Sequence, residues 1–528
     1  MSNSLIFRLL TLISFAILGL LSFLSHDSAY LSATNLDLAS SRSWTALCAS
    51  LTLAVWLRFF LKEKISDTAM TLLFYCFSVL VFYKASLFFF WDEWHLIERF
   101  KNDGISAAFI GHNEHFIPIS FLSYFFQLKL FGDDYCFFLY ISSAIHALNS
   151  VLLLKILRIL GRNFKQIEQV SRTIAFLFLL SALHSEALHW AFEQCLLISA
   201  TFTFLAVLHG LEYTQTGRGK NLVWSMTSSA LAPLCFGNGF IVILFIFCIA
   251  LREYLHAGRV LTREIKNLAI ASSLAMLIPV GLYVGTQSSS EGHGLGVVAP
   301  IQSNKQVAKY LVYGTQLGTV VRGLGLYPGL LYGDSREFFD TAKDTPLLNP
   351  TSNFKDPENL FFYLGVYISL GSLLILIRRY RPGDSSLSLW FTGQIWMIAA
   401  FLLLTYGRSA WGYHNSLTLR YQYTALPGLC IFIIPLLALF AKHLNKPAVY
   451  WSAQIFCCFY FFMQLTLVSS YQDFTSKGIE NKTWLKTLEK RDSSVPISLT
   501  PGLYPNDIRT SLEWMRKENW QIGWEALN

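Results

Sequence analysis

Charged residues are scarce in this chain of 528 residues. Asp, Glu, Lys and Arg together make up 14% of it, whereas 53% of the residues are hydrophobic and 16% are aromatic. A soluble globular protein carries about 25% charged residues, so this chain has too few to cover a soluble surface of its size. The shortage excludes a soluble enzyme, a disordered chain and a nucleic-acid-binding module.

Cysteine patterns that carry chemistry are also missing. The nine cysteines fall mostly inside apolar segments, where cysteine behaves as a small hydrophobic residue. The sequence contains no C-x-x-C pair and no Cys/His spacing typical of a zinc site. It therefore predicts neither a disulfide framework nor a zinc site.

Long apolar runs, by contrast, recur from residue 6 to residue 468. Runs of roughly 20 residues are typical of helices that cross a bilayer, and they predict an all-α polytopic membrane protein with about thirteen transmembrane helices. The expected spans are 5–24, 44–62, 69–90, 136–158, 173–190, 195–213, 222–235, 238–254, 267–286, 358–378, 387–406, 420–441 and 448–470. The two short stretches within 222–254 are also compatible with one broken hairpin.

Lys and Arg collect on one side of the predicted membrane. With alternating spans, six basic loops fall on the same side, namely 58–64, 155–172, 218–220, 252–266, 378–381 and 442–446. Cytoplasmic loops carry an excess of Lys and Arg, so we expect the N-terminus in the cytoplasm and the C-terminus outside.

Three parts of the chain follow from this topology. Residues 1–68 hold the first two helices, residues 69–470 form a transmembrane core with outer loops 91–135 and 287–357, and residues 471–528 form a small outer cap. Within the second outer loop, the semi-apolar stretch 307–331 is interpreted as an amphipathic element on the outer surface or as a re-entrant pair.

An acidic pair, Asp92-Glu93, stands between aromatic residues where the third predicted span ends. Partial desolvation at a membrane boundary raises the pKa of a carboxyl group, which can then act as a general base or bind a cation. An ordinary aromatic belt followed by a solvated acidic pair is the alternative.

The same outer loop contains His112, Glu114 and His115 just before a second apolar stretch. These side chains favour contacts with a sugar or a phosphate. Their spacing matches no standard helical zinc signature. No cofactor is therefore expected, and a divalent cation stays an open alternative.

Two further segments place ionisable groups at predicted membrane depth or at its outer rim. His184 and Glu186 lie between spans with almost no linker, and such groups are costly and so are functional candidates. Arg408 and Arg420-Tyr421 lie at the outer mouth of helices, where a planar guanidinium suits two-pronged binding of a phosphate. A self-satisfied His–Glu pair and arginines that snorkel to lipid head groups are the alternatives.

The ordered set of motifs resembles the GT-C superfamily of membrane glycosyltransferases, which includes protein O-mannosyltransferases and aminoarabinose transferases. The acidic pair, His115-Phe116-Ile117-Pro118 and Ile145-His146-Ala147-Leu148-Asn149 resemble the first outer loop and the span after it. The stretch 183–190 is similar to the H-x-E-A-V-x-W signature of transmembrane mannosyltransferases. Gly407-Arg408 with Arg420-Tyr421 is similar to their G-R … S-R-Y segment.

The resemblance implies an inverting glycosyltransferase that moves a sugar from a polyprenyl-phosphate-linked donor to a glycolipid, glycan or protein hydroxyl. The site would face outward, toward the periplasm of a bacterial inner membrane rather than the endoplasmic reticulum lumen. Asp92 would be the catalytic base, and Glu93 or Glu186 would orient it or the acceptor. Arg420 and Arg408 would hold the lipid phosphate. The full set of candidate substrate contacts is His112, Glu114, His115, His184, Glu186, Arg408, Arg420 and Tyr421.

Two other functions stay open from the sequence. A transporter or flippase of lipid-linked saccharides predicts internal repeats and charges in the middle of spans, and neither is evident here. A glycan polymerase or ligase predicts a dominant outer loop with several basic residues, and the loop at 287–357 carries six of them.

Overall fold

The computed structural model describes residues 65–83, 87, 89, 92–111, 116–256, 260–287, 304–326, 357–379, 385–408, 416–441, 447–470 and 514. Within these ranges the regular structure is helical throughout. The α-helices are α1 (Asp67–Phe82), α2 (Asp92–Asp103), α3 (Pro118–Phe131), α4 (Tyr135–Leu160), α5 (Ile167–Leu179), α6 (Ser185–His189), α7 (Gln194–Thr216), α8 (Gly219–Cys235), α9 (Val242–His256), α10 (Arg263–Ala275), α11 (Leu277–Gln287), α12 (Asn304–Tyr313), α13 (Pro357–Arg378), α14 (Ser386–Arg408), α15 (Leu419–Ala441) and α16 (Pro447–Ser470).

Six helical segments of the described chain are long and apolar enough to cross a membrane. They are Tyr135–Leu160, Ala191–Thr216, Gly237–Tyr254, Arg263–Thr286, Phe361–Arg378 and Leu419–Leu439. These helices agree with the predicted class of all-α membrane protein. The spans expected at 5–24 and 44–62 lie outside the described residues, and the number thirteen and the orientation stay predictions.

Helix ends follow from local hydrogen bonding. The Ser66 hydroxyl caps the start of α1 by accepting from the Ala69 N–H at 3.2 Å, as is typical of serine at this position. At the C-terminal end of another helix, α7, Gly217 follows the last helical residue, and its φ of 64° is left-handed. Its N–H donates to the Tyr213 carbonyl oxygen at 2.8 Å, a conformation that glycine adopts at little cost.

Helices α14 and α15 approach each other closely at two glycines. A side-chain carbon on Gly393 would lie 2.5 Å from the Gly428 carbonyl oxygen, and one on Gly428 would lie 2.7 Å from the Gly393 carbonyl oxygen. Small residues permit such backbone contact between membrane helices. Nearby, the Trp396 indole N–H donates to the Thr424 carbonyl oxygen at 3.0 Å, so the two helices pack as one unit.

The long helix α4 has polar side chains of different kinds near its two ends, about 35 Å apart by helical rise. Near its C-terminus, Arg158 pairs with Asp67 and Glu168; we call this region the Arg158 end. Near its N-terminus, the Tyr135 hydroxyl contacts Glu93. We call that region the Arg420 end, after the arginine described below.

Two predicted spans, 69–90 and 173–190, extend beyond the observed helices, and α1 ends at Phe82. The stretch 173–190 is not one helix, because α5 ends at Leu179. The chain then turns, and the Ala182 N–H donates to Gln464 Oε1 at 2.6 Å. The stretch 222–254 forms two helices, α8 and α9, which an extended Phe236 and the 3-10 helix Gly237–Ile241 divide, close to the spans expected at 222–235 and 238–254.

The interpretation of 307–331 as a surface element is wrong for its described residues, 307–326. Helix α12 continues into a π-helix, Gly314–Val321, where Thr319, Val320 and Val321 are buried. The stretch looked amphipathic because it contains polar residues, but these find partners inside the protein. Arg322 Nη1 donates to the Leu417 carbonyl oxygen at 2.6 Å.

Candidate functional site

Arg420, the second residue of α15, lies between two buried carboxylates. Its Nη1 is 3.3 Å from Glu186 Oε1 and 3.3 Å from Glu193 Oε1. Its backbone N–H donates to Glu186 Oε2 at 3.1 Å. Glu186 therefore binds both the side chain and the helix start, where the macrodipole favours a negative charge.

Aromatic rings flank the same guanidinium. Its central carbon lies 5.6 Å from the ring centre of Trp190 and 5.3 Å from that of Tyr421, distances typical of cation–π contact. In the described structure both carboxylates contact Arg420 through Nη1, and the Arg420 side chain as a whole is 23% exposed.

The segment that joins α5 to α7 supplies both carboxylates. It consists of the short helix α6, which contains Glu186, and the 3-10 helix Ala191–Glu193. The Trp190 N–H donates to the Glu186 carbonyl oxygen at 3.1 Å between them. Because this segment is buried except at half-buried Phe192, its carboxylates are held at fixed positions beside α15.

Glu93 is fully buried and collects three hydrogen bonds from other elements. Its Oε1 accepts from the Tyr124 hydroxyl at 3.1 Å, the Tyr135 hydroxyl at 3.2 Å and the Phe192 N–H at 3.2 Å. The Tyr135 oxygen in turn accepts from the Ala191 N–H at 2.9 Å. Glu93 thus joins α2, α3 and α4 to the segment that carries Glu193.

Tyr124 keeps its proton in this contact. Burial first, and then the charge of Glu93, raise the pKa of Tyr124 well above its usual value. The phenol is therefore a hydrogen-bond donor over the whole physiological pH range. Together with Tyr135 it stabilises the ionised form of Glu93.

Several of the candidate residues lie together in the structure. Arg420 contacts Glu186 and Tyr421, and Glu93 is linked to this cluster through the Phe192 N–H. His184 is buried beneath this cluster, with its ring centre 4.6 Å from those of both His146 and Tyr423.

The remaining candidates are described in part or not at all. Asp92 is the first residue of α2 and Arg408 the last of α14, but only their backbones belong to the described structure. His112, Glu114 and His115 lie outside the described residues. Among the residues that are described, no group of three His, Cys, Asp or Glu side chains is placed to hold a metal ion.

Sequence reasoning missed two features of this candidate site. Glu193 ends the same buried segment as Glu186, and the argument that ionisable groups at membrane depth are functional candidates applies to it equally. The Tyr124–Glu93–Tyr135 contact has no sequence signal, because tyrosines near the ends of apolar stretches are also typical of ordinary interfacial belts.

No protein-family model matches this chain, and no curated protein is significantly similar to it.

Proposed function

We propose that this protein is an inverting glycosyltransferase that uses a polyprenyl-phosphate-linked sugar as donor and a glycolipid, glycan or protein hydroxyl as acceptor. The observation that carries the proposal is the state of Arg420. Two buried carboxylates hold Nη1 of its guanidinium, and the side chain as a whole is 23% exposed, which leaves surface for an anion. A phosphate that meets this arginine need not immobilise a flexible side chain, which lowers the entropic cost of binding.

The proposed reaction needs one base and one phosphate-binding cation. Asp92 takes the proton of the acceptor hydroxyl, whose oxygen attacks the anomeric carbon from the face opposite the phosphate. The bond between the anomeric carbon and the phosphate oxygen breaks, and its electron pair leaves with the polyprenyl phosphate. Arg420 stabilises the charge that grows on that phosphate, and the anomeric configuration is inverted.

Glu93 has a positioning role in this proposal. It is buried and fully hydrogen-bonded, and it follows Asp92 directly in α2. Its bond to the Phe192 N–H reaches the residue before Glu193, which contacts Arg420. The start of α2 and the phosphate-binding arginine are thereby held in one network.

The Arg420 end is proposed to face away from the cytoplasm, toward the periplasm of a bacterial inner membrane. Support comes from the position of Lys155, Arg158 and Arg172 at the opposite end of the helices, as the positive-inside rule expects. Reporters fused after Lys165 and after Asn528 should report opposite compartments. The same compartment for both fusions would refute this orientation.

The experiment that tests the function compares Arg420→Lys and Arg420→Ala with Arg158→Lys as the matched control. Glycolipid profiling of cells with and without the protein first identifies the donor and acceptor, and transfer is then measured with purified protein. Lysine keeps the charge but loses the planar fork, so we expect Arg420→Lys to lose about 10- to 150-fold in transfer, nearly as much as Arg420→Ala. Full activity of Arg420→Lys would contradict phosphate binding by Arg420.

A further inference from the structure

A second buried polar network lies one helical turn below Arg420, around Tyr423. The Tyr423 oxygen is 2.9 Å from His146 Nδ1 and 3.0 Å from Asn149 Nδ2. His146 Nε2 is 3.0 Å from the Leu179 carbonyl oxygen. Asn149 Oδ1 accepts from the Thr201 hydroxyl at 2.7 Å. The three central side chains are completely buried.

Chemistry fixes the direction of these hydrogen bonds. A carbonyl oxygen can only accept, so His146 Nε2 carries a hydrogen and Nδ1 of the neutral ring accepts from the Tyr423 hydroxyl. Asn149 Nδ2 then donates to the Tyr423 oxygen and to the Leu197 carbonyl oxygen at 3.0 Å. This assignment gives each of these donors an acceptor, and removal of the Tyr423 hydroxyl leaves both His146 and Asn149 short of a partner.

The network joins four helices at the level of Tyr423. His146 and Asn149 belong to α4, Leu179 ends α5, Thr201 belongs to α7 and Tyr423 belongs to α15. Arg420 and Tyr423 are three residues apart, so they lie on the same face of α15. The hydroxyl of Tyr423 therefore fixes the rotation of the helical turn that presents Arg420.

We infer that Tyr423, with His146 and Asn149, is a positioning unit for Arg420. The carboxylates of Glu186 and Glu193 contact the guanidinium directly, and the Tyr423 hydroxyl holds the same helix one turn further along the chain. The inference rests on the proposed role of Arg420 as the residue that binds the donor phosphate. Tyr423 acts through Arg420 and not on the substrate.

The test uses Tyr423→Phe, with Tyr213→Phe as the matched control. Tyr213 is also a buried tyrosine, and its hydroxyl accepts from Asn267 Nδ2 at 3.2 Å, but it lies near the far end of α7. We expect Tyr423→Phe to raise the KM for the donor about tenfold with little change in the KM for the acceptor, whereas Tyr213→Phe leaves both unchanged. In an Arg420→Lys background, Tyr423→Phe should add little, because both changes act on one interaction.

A measurement without turnover separates this inference from the proposed function. Hydrogen exchange of the backbone amides at 419–424 should be about tenfold faster in Tyr423→Phe than in the wild type, and unchanged in Tyr213→Phe. Absence of transfer by the wild type from any polyprenyl-phosphate sugar would refute the proposed function while this exchange still tests positioning. Equal amide exchange at 419–424 in Tyr423→Phe and Tyr213→Phe would overturn the inference that Tyr423 positions Arg420. So would a double variant, Arg420→Lys with Tyr423→Phe, whose loss of transfer is the product of the two single losses.

Discussion

The two ends of the helical bundle use similar ion pairs in opposite surroundings. At the Arg420 end, the side chains of Glu186 and Glu193 are 7% and 4% exposed, and each lies 3.3 Å from the arginine. At the Arg158 end, Asp67 and Glu168 are 48% and 47% exposed, at 3.4 Å and 2.6 Å from theirs. The distances are comparable and the two arginines are 23% and 24% exposed, so the burial of the carboxylates is the difference.

Burial changes what such a contact does. An exposed ion pair contributes about 0–1 kcal/mol and tolerates the loss of one partner, because water takes its place. A buried carboxylate cannot use water in this way, so the loss of its partner is far more damaging than the net worth of the pair. Charges at the Arg420 end are therefore held in place, whereas those at the Arg158 end can rearrange.

The largest effect should come from removal of each arginine. Arg420→Ala removes the cation that lies 3.3 Å from both buried carboxylates, Glu186 and Glu193, and should destabilise the protein by about 3–5 kcal/mol. Arg158→Ala should cost at most about 1 kcal/mol. Thermal unfolding in one detergent measures both variants. Equal losses would show that the two ends do not differ in this way.

The next prediction makes the same chemical change at both ends. Asp92→Asn keeps the shape of the side chain but cannot accept a proton, so transfer should fall at least ~10²-fold. Asp67→Asn at the Arg158 end should leave transfer unchanged. The assay is turnover at matched protein level. Near-normal turnover of Asp92→Asn would move the role of base to another carboxylate.

A smaller effect should separate positioning from catalysis at Glu93. Glu93→Gln keeps one acceptor oxygen for Tyr124 or Tyr135 but loses the charge that strengthens these bonds, so we expect a loss of about tenfold in transfer. Glu93→Ala removes every acceptor and should lose more. If Glu93 only positions its neighbours, the pH dependence of transfer in Glu93→Gln should keep the wild-type shape. A shifted pH dependence would indicate that Glu93 is an acid or base in the reaction.

Hydropathy alone predicted most of the helices but not the routes between them. The span expected at 136–158 is observed at Tyr135–Leu160, and that at 420–441 is observed at Leu419–Ala441. Both are long continuous apolar runs, and for such runs the composition alone is enough to predict a helix. The stretch 173–190 was predicted wrongly, because its apolar residues pack inside the protein after α5 has ended, and hydropathy does not distinguish burial in protein from burial in lipid.

The candidate site could be predicted residue by residue but not as a contact network. Glu186 and Arg420 were candidates because each is ionisable beside an apolar run, and the structure brings them together. Nothing in the sequence indicates that Glu193 shares the same nitrogen, since residues 193 and 420 are far apart along the chain. The role of His146 was likewise hidden, because its partner Tyr423 lies on another helix.

The contact between Tyr423 and His146 also sets how deep the chemistry lies. His146 is twelve residues from Arg158 along α4, about 18 Å, and Arg420 is about 5 Å nearer the opposite end. In the proposed orientation, with Arg158 at the inner edge of a hydrocarbon core of about 30 Å, the guanidinium would lie within the thickness of the bilayer. In the proposed reaction, a lipid-linked donor would therefore enter sideways from its own leaflet with its phosphate below the head groups, and the acceptor would have to reach the same depth.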